Sequence, residues 1–230
     1  MMVAVIADIH GNYPALQAVL KEIDKIGCDR IISLGDVAGY YCMINECIDA
    51  LRERNIVNVL GNHDYYLLTG IACPRSNSAN ICLKYQEGIL SKTNRFWLQQ
   101  SLELLNEQDM SFVHGGWVDF LDEYITQIND LYFRDFSQTL FFSGHTHVQG
   151  KICIGEKIYC NPGSVGQPRD GDPRAAFALI SSLAVQLLRV EYDIDQVAFQ
   201  MEQAGFNSYF YENLYKGSQI GGAISKANYR

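Results

Sequence analysis

The sequence contains no Cys-x-x-Cys pair. Its seven cysteines, at 28, 42, 47, 73, 82, 153 and 160, are odd in number and irregularly spaced. Zinc-ribbon and thioredoxin-like readings are therefore poor, and ordinary reduced thiols are expected, with Cys42, Cys47 and Cys160 buried. Basic charge is also in deficit: 18 Lys and Arg stand against 26 Asp and Glu, for a net charge of −8. That argues against a broad basic face for extended nucleic acid or an acidic membrane. It leaves room for a small anionic substrate, because bound metal ions reverse the sign of a site locally. Long apolar runs are missing too. The run Val3 to Ala7 ends at Asp8 and is too short for a secretory h-region, and no stretch approaches a membrane span. A cytoplasmic protein is expected. There are no internal repeats and no inter-domain linker. With 48% hydrophobic residues, 230 positions suit one domain, 1–230, with a sizeable core. A loose or lid-like tail is expected over 206–230. It contains the aromatic segment Tyr209-Phe210-Tyr211 and a Gly/Ser-rich end with Lys226 and Arg230. Oligomeric state is left open.

Histidine is scarce as well, and every copy is placed alike. The five histidines sit in short polar blocks: Asp8-Ile9-His10-Gly11-Asn12, Gly61-Asn62-His63-Asp64, His114-Gly115-Gly116 and Gly144-His145-Thr146-His147. Gly35-Asp36 has the same character without histidine. Imidazole is the commonest metal-ligand side chain and titrates near neutral pH. A lone histidine is more often structural, but none is left over here for a core or a solvated face.

The chain around these blocks reads as alternating strands and helices. Val3 to Ala7 is a buried strand with Asp8 at its C-terminal end. Pro14 opens a helix whose apolar face runs from Ala15 to Ile26, closed by Gly27. Ile31 to Leu34 is a second strand, Ile44 to Arg54 a helix, and Ile56 to Leu60 a third strand leading to Asn62 and His63. Helices are expected over Ser78 to Leu90 and Asn94 to Leu105. Met110 to Val113 and Leu140 to Ser143 are strands leading to His114 and His145. Beyond 151 the period shortens: Lys151 to Ile154, Lys157 to Cys160, Ala175 to Ile180 and Val185 to Glu191 are strands, and Asp195 to Ala204 is a helix. The fold class is α/β, a four-layer α-β-β-α sandwich of two mixed sheets flanked by helices. Ligands in open α/β sheets bind at carboxyl ends of strands.

The metal-ligating candidates are Asp8, His10, Asp36, Asn62, His114, His145 and His147. Carboxylate, imidazole and amide oxygen without thiolate suit Mn, Fe, Zn or Ni. In Asp-x-His and His-x-His, alternate residues of an extended segment point the same way, and the neighbouring glycines permit close backbone approach.

The blocks DIHGN, GDVAGY, GNHD, HGG and GHTH, in this order, resemble the calcineurin-like metallophosphoesterase superfamily. The later Asn161 to Arg169 is similar to a loop of its small bacterial and archaeal phosphodiesterase-type members. The resemblance implies two divalent metal ions. Asp8, His10, Asp36 and His147 would hold one; Asp36, Asn62, His114 and His145 would hold the other, with Asp36 bridging. It also implies in-line attack on phosphorus by a hydroxide shared between ions roughly 3.5–4 Å apart, with His63 as general acid and Asn62 beside it. The charge of two divalent ions exceeds that of two carboxylates and a hydroxide, so an acidic protein can still take up a phosphate ester.

Two departures matter. Protein phosphatases of the superfamily carry Asp and Arg soon after the second block, where this chain has Gly39-Tyr40. Small relatives often read GYGP, where this chain has Gly39-Tyr40-Tyr41-Cys42. Tyr40, Arg169 and Arg174 are the candidates for substrate contact, although for the two arginines surface ion pairs are the slightly favoured reading. Tyr41, Tyr65 and Tyr66 also flank ligand blocks. Asp64 either orients His63 or caps the following helix. The aromatics Tyr124, Tyr132, Phe133, Phe136, Phe141 and Phe142 are expected in the core. The expected activity is hydrolysis of a small phosphate ester, a phosphodiester or nucleotide before a phosphomonoester, although the same ligand set serves monoester and diester. The competing readings are a non-catalytic scaffold on the same fold, which should lack ligands, and a DNA-repair nuclease, which should carry a cap or basic groove.

Overall fold

The computed structural model describes residues 1–129, 131–182 and 184–228; Arg230 of the tail lies outside them. Two mixed five-stranded sheets stack face to face. The first contains β1 (Met2–Ile6), β2 (Arg30–Ser33), β3 (Val57–Asn58), β9 (Ala175–Ser181) and β10 (Ala184–Val190), in the order β10-β9-β1-β2-β3. Its β1, β2 and β3 run parallel, and β9 and β10 are antiparallel additions. The second contains β4 (Leu104–Glu107), β5 (Met110–Val113), β6 (Leu140–Ser143), β7 (Gly150–Ile154) and β8 (Lys157–Asn161), in the order β4-β5-β6-β8-β7. The helices are α1 (Tyr13–Ile26), α2 (Ile44–Glu53), α3 (Asn62–Thr69), α4 (Asn77–Ile89), α5 (Lys92–Leu98) and α6 (Ile194–Gln203). The architecture is the α/β sandwich that the patterning implies. Among the described residues, no helix is long and apolar enough to cross a membrane.

Strand periodicity explains the layers. Val3, Val5 and Ala7 point between the sheets, where they meet Phe112 and Phe142; Ala4 and Ile6 point the other way, against Leu16 and Val19 of α1. Phe112 and Phe142 stack with ring centroids 5.1 Å apart, and truncating either to alanine would cost about 3–5 kcal/mol. On the far side of the second sheet, Phe141 and Tyr159 pack against Trp117, Ile125, Ile128 and Phe133, so a turn-rich segment covers that face. Asn12 caps α1 by accepting from Ala15 N, and Gly27 ends it in a left-handed conformation.

One expected helix is cut short. Instead of running from Asn94 to Leu105, α5 stops at Leu98, and Leu104–Glu107 forms β4, a hairpin with β5. Pairing across the hairpin outweighs local helix propensity. The two-residue turn is Gln108-Asp109, with Gln108 at φ 50°, so it lacks the Asn-Gly or Asp-Gly signal that marks such turns.

The C-terminal segment packs as two short 3-10 turns, Ser208–Phe210 and Glu212–Lys216. It is tied down by Gly171 N to Gly217 O at 2.9 Å and Ser225 N to Arg169 O at 2.7 Å.

Candidate metal centre

Both sheets deliver their polar blocks to one edge. Asp8 follows β1, Asp36 follows β2, Asn62 follows β3, His114 follows β5, and His145 and His147 follow β6. The backbone there is unusual. Asp8, His10, Asp36, His145 and His147 all adopt positive φ, between 52° and 65°, a region non-glycine residues enter rarely and mostly at functional sites. Each such residue turns its side chain back over the strand end. Gly61 makes the closest approach possible: a Cβ there would lie 2.1 Å from Asp36 Oδ1.

The ligand atoms of Asp8, His10, Asp36 and His147 all lie within 4.8 Å of one another, as do those of Asp36, His114 and His145. Asp36 belongs to both groups. Its Oδ2 is 3.7 Å from His10 Nε2 and 3.5 Å from His114 Nε2, and Asp8 Oδ1 is 3.7 Å from His147 Nε2. Asn62 Oδ1 is 3.0 Å from His114 Nε2. All seven expected donors therefore converge.

Their hydrogen-bond partners fix which atoms face inward. His10 Nδ1 lies 2.7 Å from Ala38 O, His114 Nδ1 2.8 Å from Leu34 O, and His147 Nδ1 2.7 Å from Gln167 O. A carbonyl can only accept, so each Nδ1 carries the hydrogen and each Nε2 presents its lone pair to the centre. Asp8 Oδ2, Asp36 Oδ2 and His145 Nε2 are buried with no hydrogen-bond partner. Buried acceptors left unpaired in this way are costly unless something positive satisfies them. A divalent cation fits the donor set: two carboxylates, four imidazoles and an amide oxygen, with no thiolate.

The electrostatics agree. Burial lifts the Asp8 carboxyl to about 7 and pushes Asp36 well above the carboxylate range. Burial likewise holds His10, His145 and His147 well below the usual imidazole value, aided by neighbouring positive groups. Each shift favours the uncharged form, and a cation at the centre would reverse it for the carboxylates.

His63 is brought to the rim rather than into either group. Its backbone N donates to Asp36 Oδ1 at 2.8 Å, its ring sits 5.0 Å from those of His10 and Tyr40, and its Nδ1 has no partner. Gly39 makes room for it: a Cβ there would lie 2.5 Å from His63 Nδ1. Asp64 does not touch the His63 ring. Its carboxylate accepts from Ala38 N at 2.8 Å and Gly61 N at 3.2 Å, which ties the start of α3 to the loop carrying Asp36.

Above the centre lies a cavity of about 540 Å³, with Tyr40, Tyr124 and Arg169 at its floor. Arg169 is 6% exposed; Nε and Nη2 donate to Gln167 Oε1 at 2.9 and 2.6 Å, and its guanidinium lies 5.3 Å from the centre of the Tyr40 ring. Arg174 is not brought in: it is half-exposed and bound to Asp172, two residues away, at 2.6 Å. Tyr41 is fully buried, its hydroxyl accepting from Gln167 Nε2 at 3.1 Å and Asn213 Nδ2 at 3.2 Å, so it supports the cavity from behind. Tyr124, expected in the core, lines the cavity instead, its ring 4.1 Å from that of His145. Sequence reasoning also missed Arg75. It pairs with Asp122, and its guanidinium lies 5.1 Å from the centre of the Tyr124 ring. No motif marks it; it immediately precedes Ser76, the N-cap of α4.

Comparison with known proteins agrees with this geometry. The calcineurin-like phosphoesterase superfamily domain matches residues 1–182. The uncharacterized protein MJ0912 of Methanocaldococcus jannaschii is 31% identical over 245 residues, covering 94% of this chain and 98% of that protein. Phosphodiesterase YfcE of Escherichia coli K12 is 25% identical over 200 residues, covering 84% and 95%. A metallophosphoesterase from Sphaerobacter thermophilus superposes with a TM-score of 0.82 at 31% identity, covering 94% of this chain and 99% of that one.

Proposed function

The chain belongs to the calcineurin-like phosphoesterase superfamily and is a metal-dependent phosphoesterase, and from that premise we propose that it uses two divalent ions to hydrolyse small phosphodiesters, nucleotides among them. Asp8, His10, Asp36 and His147 form one ligand set; Asp36, Asn62, His114 and His145 form the other. The observation that carries this reading is the convergence of unpartnered lone pairs on two points that share the Asp36 carboxylate. Two such ions, when bound, would activate water near neutral pH and offset charge building on the phosphoryl oxygens.

The chain's own residues supply the rest. Arg169, buried beside the centre, holds a phosphoryl oxygen through the donors that Gln167 leaves free. His63 protonates the leaving oxygen from Nδ1. Burial and the nearby Arg169 disfavour its imidazolium form, and an anionic substrate against the ring favours it. Asn62, next in sequence, binds metal and keeps that ring at the rim. The complete donor set argues against a scaffold role. The seven free cysteines support a reducing, cytoplasmic setting. The name of the Escherichia coli relative supports diesters.

A panel of bis(p-nitrophenyl) phosphate, p-nitrophenyl phosphate, cyclic nucleotides and dinucleoside polyphosphates, run with Mn, Fe, Zn and Ni, tests this. Diesters should turn over faster than monoesters, with Mn among the active ions. Turnover of monoesters alone would overturn the diester reading, and no turnover at all would overturn the assignment of the centre.

A further inference from the structure

The cavity above the centre is larger than a phosphoryl group needs and has a distinctive lining. Although the chain holds 26 acidic residues, no carboxylate lines this cavity among the described residues; two arginines, Arg75 and Arg169, do. Each arginine lies over a tyrosine, Arg75 over Tyr124 and Arg169 over Tyr40. Each tyrosine in turn lies against a histidine of the centre: Tyr124 against His145 at 4.1 Å, Tyr40 against His10 at 4.8 Å. Two Arg–Tyr–His series thus run from the cavity to the centre, one to each ligand group, with Tyr40 edge-on to His10 and Tyr124 tilted against His145. A further part of the lining comes from the C-terminal segment, where Tyr209, Phe210 and Ile220 give an aromatic and apolar surface beside the polar Gln219. That wall of the cavity lies beyond residue 182, where the match to the superfamily domain ends.

The same segment is wired to the floor. Asn213 Nδ2 donates to the Tyr41 hydroxyl, which also accepts from Gln167 Nε2, and Gln167 Oε1 accepts from Nε and Nη2 of Arg169. Ser225 N reaches Arg169 O. Phe210 is anchored by Phe206 at 5.1 Å, which packs on Tyr85 at 5.3 Å, while Tyr209 stays 48% exposed.

We propose that this cavity is the subsite for the second arm of a phosphodiester, that it selects an aromatic arm, and that the C-terminal wall, Tyr209 and Ile220 above all, sets the selectivity. An aromatic arm in this cavity would meet the tyrosines of the superfamily domain and the aromatic and apolar side chains of the C-terminal segment, with the phosphodiester anion toward the arginines. A small alkyl arm would leave those side chains uncovered. This rests on the reading of the centre as a phosphodiesterase site, so its test needs a readout besides turnover.

Calorimetry on the Mn-loaded protein, with diphenyl phosphate and dimethyl phosphate as probes, provides one. Diphenyl phosphate should bind at least about tenfold more tightly. Tyr209→Ala should reduce that preference about fivefold, and Tyr209→Ala with Ile220→Ala should reduce it further, with melting temperature tracking the fold of each variant. The same ranking should appear in kcat/KM for bis(p-nitrophenyl) phosphate against methyl p-nitrophenyl phosphate. Equal binding of the two probes, binding of neither, or a preference unchanged in Tyr209→Ala would each overturn the proposal. An intact binding preference without turnover of any ester would count against the catalytic reading and leave the subsite supported.

Discussion

His10 Nε2 and His147 Nε2 face one another at 3.1 Å while each Nδ1 is committed to a backbone carbonyl. Neither Nε2 carries a hydrogen in that tautomer, so two lone pairs point at one another inside a buried site. Such an arrangement is unfavourable by itself and favourable around a cation. The fold therefore stores an opposition that metal binding relieves.

The first expectation concerns stability. Loading with Mn at about 100 times its dissociation constant should stabilise the protein by about 2.7 kcal/mol for each ion held, or roughly 5–10 °C in melting temperature per ion for a chain of this size. Calorimetric melting before and after chelation measures it. A melting temperature indifferent to chelator would contradict the account.

The pH dependence of the metal-free protein has a definite sign. Asp8 and Asp36 have raised values, so the folded state retains protons that the unfolded state has released, and stability is lost as pH rises toward and through about 7. The buried histidines act oppositely, because the unfolded chain takes up protons they refuse, and this effect fades as pH rises past the ordinary imidazole value of 6.5. Above about pH 7 the carboxylates decide, so the stripped protein should melt at progressively lower temperature toward pH 8. The Mn-loaded protein should not, because the ions hold both carboxylates ionised. Melting curves across this range, with and without Mn, check it; parallel curves would contradict it.

Gly39 should tolerate nothing larger. A Cβ there would lie 2.5 Å from His63 Nδ1 and 3.0 Å from His10 Nδ1, and its φ of 95° already excludes most side chains. Gly39→Ala should cost about 1–3 kcal/mol of stability and lower kcat by displacing His63. Gly88→Ala provides the contrast. It lies in α4 with open space at the Cβ position, and should stabilise by about 0.5–1 kcal/mol through helix propensity without changing kcat. Denaturant melts and steady-state rates separate the two.

The two arginines of the Asp170-to-Arg174 neighbourhood should part company. Arg169→Ala should raise KM for a diester about tenfold or more, since a charged hydrogen bond contributes about 1.5–3 kcal/mol. Arg174→Ala should leave kcat and KM unchanged, because its guanidinium is spent on Asp172 at the surface. Equal effects would contradict the placement of Arg169.

Much of this was legible in the sequence, for a physical reason. Each donor block is contiguous, and strands that end at one sheet edge bring contiguous blocks together, so seven donors could be picked out without coordinates. What stayed hidden depends on long-range contact. Arg169 and Arg174 share one Gly/Pro/Asp-rich stretch, and only tertiary packing buries one and exposes the other. Tyr124 reads as one of several core aromatics, yet it turns toward His145. The strand β4 exists because β5 pairs with it, against its local helix propensity. The left-handed backbone at Asp8, His10, Asp36, His145 and His147 has no glycine to announce it. The cavity wall comes from Tyr209 and Ile220, far along the chain from every ligand block.

The central claim is that two ions sit on these seven donors and that His63 holds neither. Metal content per chain, measured by mass spectrometry after Mn loading and desalting, tests it most directly when wild type, His63→Ala and His147→Ala are compared. The account predicts about two ions for wild type and for His63→Ala, with kcat in His63→Ala reduced roughly 10²–10⁴-fold, and fewer than two for His147→Ala. A single ion in the wild type, or loss of metal in His63→Ala, would contradict it.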